Sequence, residues 1–341
     1  MYPYIVQERP ERLTRKKIHE LFLNPERPPF LDFSPPLFTT ESAAIKARSG
    51  AVEKGLLAPS LEEIADSHGS PPFSTVLSVC KLLKLHSLIP PIEGVGIEVG
   101  SGLALLSCAL KKLDENHSIN GIIALEATKP FVTHGIRLTS QELLGDQAVA
   151  ILPCYGVFED LPMEDSSLDF GFQIESLHHA DSLNLAISEI SRIIRPGGYF
   201  VSIDRSWIDS VKQKTLEKML DHEYSRDWLR GKNFNPDVRF TRRQNGEHEY
   251  RDREWIEAFQ KNGFTITAIA FLHPKLKTWH VLKRFIGLLN INKLFKIEVE
   301  SRPGILRTFV AQTLGIKKLK FSNLLISPHP RPLMVMILRK N

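Results

Sequence analysis

The chain has 341 residues, 42% hydrophobic and 24% charged, with a formal net charge of +5, a balance that excludes a disordered polypeptide and suits one large domain with additions. Its three cysteines, Cys80, Cys108 and Cys154, are odd in number and form no C-x-x-C pair, so neither a disulfide framework nor a zinc site is expected. A reducing, cytoplasmic setting follows as an expectation.

Residues 1–17 lack the apolar core of a signal peptide, and no apolar run approaches the roughly 18 residues that span a bilayer, so a soluble protein is expected. The first forty residues carry Pro25, Pro28, Pro29, Pro35 and Pro36 and read as an irregular arm. Helical patterning follows over Thr39–Lys54. A capping box at Ser60-Leu61-Glu62-Glu63 opens a second helix, and Ser74–Leu88 makes a third, closed by Pro90 and Pro91. Strands then alternate with helices: Gly94–Val99, Ile122–Leu125, Val149–Leu152, Phe170–Ile174 and Tyr199–Ile203. Such spacing argues for a parallel sheet covered on both faces. Ser206–Tyr250 is charged and aromatic, with Trp207, Trp228 and Phe234, and also fits a pair of amphipathic helices. A helix over Asp252–Asn262, a sixth strand over Gly263–Leu272 and a last strand over Leu333–Leu338 complete the order.

Charge is concentrated late in the chain. From His273 onward there are 14 Lys or Arg against Glu298 and Glu300. The basic, apolar stretch Trp279–Lys296 suits an anionic membrane surface or an acidic substrate, and equally a solvated cationic face on covering helices.

The chemistry begins at the run from Val95 to Ala104. A buried-strand pattern breaks at Gly100-Ser101-Gly102 and passes into an apolar helix, Leu103–Leu113. Glycines there let the backbone turn tightly and approach a ligand at a helix amino terminus, though many α/β proteins use such turns without a ligand. Glu98 precedes the turn and the full G-x-G-x-x-G is absent, since position 105 is Leu. A carboxylate repels phosphate but suits a cationic ligand, which fits S-adenosylmethionine (SAM), with its sulfonium and ammonium and no phosphate. Glu126 closes the next apolar run about 20 residues on, where an acidic side chain accepts ribose hydroxyls; it can also cap the helix opened by Thr128-Lys129-Pro130.

With Tyr155–Phe172, Leu177-His178-His179 and Ile193–Ile203 added, the chain resembles the class I SAM-dependent methyltransferases, in particular the small-molecule branch of ubiquinone, tocopherol and sterol methyltransferases. The resemblance covers Ile92–Phe271 and the final strand. It implies an α/β, Rossmann-like fold: a mostly parallel seven-stranded sheet with helices on both faces and an antiparallel last strand. The implied organisation is an N-terminal arm and helical lid over 1–91, a SAM-binding core over 92–272, a basic insertion over 273–332 and the last core strand over 333–341. It also implies SAM as cofactor, with its methionine part over Glu98, Gly100, Ser101 and Gly102, its ribose at Glu126, its adenine against Ala127, Val157 and Phe158, and Gln173 beside it. Two departures stand out. Val157 cannot accept a hydrogen bond from the adenine amine, and Ala104 replaces a third glycine.

The implied reaction is in-line attack on the sulfonium methyl, which needs a nucleophile held at about 3 Å and, for some acceptors, a base. The run Glu175-Ser176-Leu177-His178-His179-Ala180-Asp181 is similar to the acid-Ser-x-x-His-x-Asp run of sterol and tocopherol methyltransferases, with Glu175, Ser176, His179 and Asp181 matching. His179 is therefore the candidate base and Glu175 its orienting or charge-balancing carboxylate. His178 is read as packing or capping, Asp181-Ser182 as an N-cap, and His248 as a loop residue that stays open as a second base. No metal is expected. The expected acceptor is a small-molecule or lipid-linked metabolite, hydrophobic or acidic in view of the Phe, Trp and Lys content of the cover. Peripheral membrane contact through the basic insertion is a further expectation. The basic residues form no recognisable RNA-binding module, so nucleic acid is not an expected partner. The alternatives are a nucleic-acid or protein methyltransferase and an inactive SAM-binding regulator or scaffold.

Overall fold

The computed structural model describes residues 12–24, 26–33, 73–85, 89–207, 209–231, 234–272, 296–300, 308–311 and 333–341. The helices expected over Thr39–Lys54 and after Ser60 lie outside these residues, as does Trp279–Phe295 of the basic stretch.

Strand β1 is Leu31–Asp32, β2 Gly94–Val99, β3 Ile119–Glu126, β4 Ile151–Tyr155, β5 Leu168–Ile174, β6 Ile194–Arg205, β7 Phe264–Leu272, β8 Lys296–Glu300, β9 Thr308–Ala311 and β10 Leu333–Lys340. They form one sheet in the order β1-β4-β3-β2-β5-β6-β10-β7-β8-β9. From β1 to β6 every pairing is parallel, and β10 runs antiparallel between β6 and β7. The expected seven strands are thus the middle of a ten-stranded sheet. A short strand from the N-terminal arm extends one edge. At the other, the 273–332 insertion contributes β8 and β9 in antiparallel pairing beside β7.

Helix α1 spans Arg15–Leu23, α2 Phe73–Leu85, α3 Leu105–Lys112, α4 Ile136–Leu144, α5 Leu183–Ile193, α6 Gln213–Leu220, α7 Arg226–Gly231 and α8 Asp252–Lys261. Central strands carry side chains buried on both faces; in β2 only Gly94 is less than buried. In β10 the two-residue period sends Leu333, Val335 and Ile337 into the layer containing α2 and α3, and Met334, Met336 and Leu338 into the layer containing α5 and α8.

Two expectations are corrected. Residues 15–23 are a helix rather than irregular arm: Thr14 caps it by accepting the Lys17 N–H at 3.1 Å, Ile18 is buried, and no proline falls within it. Strand β4 starts two residues later than Val149 and runs on through Pro153. Val149 is 66% exposed, whereas Leu152 and Cys154 are fully buried beside β3. The strand tolerates Pro153 because β1 pairs only with Cys154 and Tyr155, so Pro153 sits beside a short edge strand that needs no N–H from it.

Candidate cofactor and acceptor site

Parallel sheets of this type bind ligands in the crevice beyond the carboxyl ends of their strands, where the strand order reverses beside β2. There β2 passes into Gly100 (φ +69°), Gly102 (φ +53°) and Ala104 (φ +57°) before α3 begins. The Ser101 N–H donates to Leu125 O at 2.8 Å, tying the turn to β3. A Cβ on Gly100 would lie 2.3 Å from Ser176 Cβ and 3.4 Å from the Phe158 ring, so this glycine packs directly on the loop after β5. A Cβ on Gly102 would meet nothing within 4 Å, so open space lies over the second glycine.

Glu126 ends β3 and is only 7% exposed. One of its oxygens accepts the Gly102 N–H at 2.8 Å and the other the Thr128 N–H at 2.8 Å. It therefore braces the glycine turn and opens the following helical segment at once, and each oxygen keeps a second lone pair for a ribose hydroxyl. The Gly156 N–H donates to Glu126 O at 3.2 Å, which brings the half-buried Val157-Phe158 pair alongside, with Ala127 also half-buried. The Ser101 hydroxyl is buried without a hydrogen-bond partner among the described residues.

Glu98 and Gln173 stand behind this crevice rather than in it. The Glu98 carboxylate is buried, and one oxygen accepts both the Ser107 N–H at 3.0 Å and the Ser107 hydroxyl, so its bonds run into the first turn of α3. Gln173 Nε2 donates to Ser202 Oγ at 2.8 Å while its oxygen accepts from the Ser176 N–H at 3.0 Å. Both residues brace the turn from below.

Burial pushes the Glu98 carboxyl up to about 8, with its Ser107 bonds pulling the other way. A carboxyl whose folded value lies above its unfolded one stabilises the fold while protonated, and that contribution fades as pH rises from about 4.5 toward 8. Glu98→Gln should therefore flatten the fall in thermal midpoint across this window, gaining roughly 3–4 kcal/mol on wild type at pH 8 relative to pH 5. Parallel pH slopes for the two proteins would refute the assignment.

The opposite half of the crevice is built by the ends of β5 and β6 and the 241–250 loop. Glu175 has φ +48°, and its N–H donates to Ile203 O at 2.8 Å. His178 is buried, with Nδ1 2.7 Å from Asp204 Oδ1 and Nε2 taken by Arg205 Nη2. A guanidinium only donates, so His178 Nε2 is the acceptor and Nδ1–H points at Asp204. That leaves His178 neutral with its lone pair engaged, a packing role as expected from the sequence. Burial raises Asp204 to about 6 against the opposing charge of Arg205. The half-buried His179 packs against His178 with ring centroids 4.2 Å apart and the rings tilted by 41°, and its Nδ1 lies 3.3 Å from Gly246 O. Donation there puts the lone pair on Nε2. His248 lends its N–H to His178 O at 2.8 Å, a loop role. Ser182 caps α5, accepting the Leu185 N–H at 3.3 Å.

Sequence reasoning missed the ionic cluster beside these groups. Glu247 Oε2 lies 2.8 Å from Arg205 Nη1 and 2.7 Å from Arg242 Nη2, and Arg242 also sits 2.6 Å from Glu249 Oε1. Burial pushes Glu247 up, but the two guanidiniums overcome it and hold the carboxyl well below its ordinary value. A signal existed in the position of Asp204-Arg205 at the carboxyl end of a central strand. A separate cavity of about 340 Å³, lined by Arg15, His19, Gly94, Asp169 and Arg195, opens at the amino ends of the strands, on the rim opposite the glycine turn.

A family model described as a methyltransferase domain matches residues 97–202, the stretch that holds the glycine turn, Glu126, Phe158, Glu175 and His179. Curated methyltransferases match parts of the chain. A dimethylglycine N-methyltransferase from Parasynechococcus marenigrum is 36% identical over 64 residues, 19% of this chain and 23% of that protein. A sterol methyltransferase-like protein from Botryococcus braunii is 29% identical over 125 residues, 37% of this chain and 30% of that one. The matches thus span about a quarter to a third of these relatives. A solved geranyl diphosphate methyltransferase in complex with SAM is 12% identical, with TM-score 0.48, covering 78% of this chain and 85% of that one. The strand order and the antiparallel β10 agree with the Rossmann-like arrangement expected from the sequence. No helix among the described residues is long and apolar enough to cross a membrane, and none of their His, Cys, Asp and Glu side chains cluster as metal ligands.

Proposed function

We propose that the chain is a SAM-dependent methyltransferase acting at an O, N or C atom of a small-molecule or lipid-linked metabolite. The observation that carries this reading is the glycine turn. Open space lies over Gly102, the buried Ser101 hydroxyl has no partner among the described residues, and the Glu126 carboxylate sits against the turn. Together these offer a donor, an acceptor and room for an adenosyl group beside a strand end, so the residues fit the cofactor.

In this reading Gly100, Ser101 and Gly102 hold the methionine part, Glu126 the ribose, and Ala127, Val157 and Phe158 the adenine, while Glu98 and Gln173 support the turn from behind. When bound, SAM supplies a methyl group made electrophilic by the sulfonium. The domain's own side chains do the rest. Glu175 is held at the mouth of the acceptor half, and His179, with its lone pair on Nε2, can take a proton from a hydroxyl or amine near neutral pH. His178 cannot share that task, because Arg205 occupies its acceptor nitrogen. His179→Ala should lower turnover by about 100-fold with S-adenosylhomocysteine affinity unchanged. Wild-type turnover in that variant would move the base elsewhere.

The reading is tested by incubating the protein with methyl-labelled SAM and a metabolite and lipid extract. Label transferred to a low-molecular-mass or lipid product is expected. Repeated absence of transfer despite tight S-adenosylhomocysteine binding would favour a regulator that binds without reacting.

Two finer points belong to the same proposal. The 14 Lys and Arg after His273 support contact with anionic lipid, and three buried free thiols suit a cytoplasmic setting. Co-sedimentation with vesicles containing phosphatidylserine should fall when lysines and arginines between 275 and 320 are replaced by glutamine; equal sedimentation would remove the lipid contact.

A further inference from the structure

Arg205, the last residue of β6, gathers four partners from three separate stretches of chain. Its Nη1 lies 2.8 Å from Glu247 Oε2, its Nη2 donates to His178 Nε2, its Nε stands 3.6 Å from Glu175 Oε1, and its carbonyl accepts from Trp255 Nε1 at 3.1 Å. These come from the 241–250 loop, the segment after β5, which supplies both Glu175 and His178, and α8. Glu247 is in turn shared with Asn245 Nδ2 at 3.0 Å, Arg242 and the Tyr224 hydroxyl. A guanidinium presents five donors in a rigid plane, so one side chain can set the direction of several acceptors at once.

The members of this cluster are graded in depth. The Glu247 side chain is 3% exposed, Arg205 12% and Glu175 29%, so the chain of charges runs from the interior to the crevice, and Glu175 is its outermost carboxylate. Glu175 is also the member with left-handed backbone, φ +48°, which a residue bearing a Cβ keeps only where its surroundings impose it. Well-packed apolar side chains would stabilise such an interior as well as buried ion pairs do, so stability alone does not account for these charges.

We propose that Arg205 is a positioning residue for the acceptor half of the crevice, holding the Glu175 carboxylate in one direction at the strand ends and locking the 241–250 loop beside it. The proposal rests on the methyl-transfer reading. In that reading an acceptor meets a carboxylate already oriented, and the loop that carries the Gly246 carbonyl keeps His179 turned by the same anchor.

The test compares wild type with Arg205→Gln and Arg205→Lys, using methyl-labelled SAM and the extract fraction that wild type methylates. Arg205→Gln should lower kcat by at least about 30-fold, with KM for SAM and S-adenosylhomocysteine affinity within about threefold. Arg205→Lys should recover little, because it restores the charge without the fork and cannot reach Glu175, Glu247 and His178 together. Wild-type kcat in either variant overturns the proposal, as does a loss that merely follows the unfolded fraction in thermal melts. If wild type itself transfers no label, the methyl-transfer reading fails. The positioning claim is then decided by the crystal structure of Arg205→Lys with S-adenosylhomocysteine: a displaced Glu175 carboxylate supports it, and an unmoved carboxylate and 241–250 loop overturn it.

Discussion

Gly100→Val is expected to abolish S-adenosylhomocysteine binding while the sheet stays folded. The first Cβ atom would already lie 2.3 Å from Ser176 Cβ and 2.8 Å from its Oγ. Ser176 cannot easily yield, because its hydroxyl donates to Val99 O at 2.5 Å and lies 3.0 Å from Gln173 Oε1, both in the buried interior. The φ of +69° adds strain for any side chain, and most for a β-branched one. The turn must therefore shift, moving the Gly102 N–H and the open space above it. Calorimetry should register a weakening of at least about 100-fold, or some 2.7 kcal/mol. Unchanged affinity would remove the turn from the cofactor site.

Glu126→Ala should be the next most damaging change, in stability and affinity together. It strips the acceptor from the Gly102 and Thr128 N–H groups, and a buried donor left unsatisfied costs about 1–3 kcal/mol. The turn loses its brace at the position where a ribose would also lose its acceptor. We expect S-adenosylhomocysteine affinity to fall by about 1–3 kcal/mol and the thermal midpoint to drop without ligand present. Glu126→Gln should sit between the two, since its amide offers one acceptor and sets an NH2 against a donor. A drop in midpoint with no change in affinity would make Glu126 a cap alone.

Much of this arrangement is legible in the residues themselves. The run Gly94–Val99 reads as a buried central strand because nothing polar interrupts it but Glu98, and the glycines that follow carry the positive φ values expected of a tight turn. The two histidines could be told apart in role, since one of an adjacent pair must face inward, and His178 does. Misreadings came where tertiary contacts overrode local signals. Prolines just beyond Leu23 hid α1, whose anchors, Ile18 and the contacts of Arg15 and His19 with Asp169, lie far off in sequence. Glu98 was read toward the ligand from its charge alone, and its bonds to Ser107 in the first turn of α3 were not legible there. The Arg205 cluster was missed for another reason, although Asp204-Arg205 stood at the carboxyl end of a central strand. Its members are separated by some forty residues, obey no helical or strand period, and become neighbours only when the 241–250 loop folds over the strand ends.

The central claim is that SAM occupies the crevice beyond the carboxyl ends of β2, β3 and β4. The most direct measurement is a crystal structure of the full chain with S-adenosylhomocysteine. The account predicts the ribose hydroxyls on Glu126, the amino-acid part over Gly100–Gly102 and the adenine beside Val157 and Phe158. Electron density for the ligand at the opposite rim, near Asp169 and Arg195, or no binding at millimolar ligand, would contradict it.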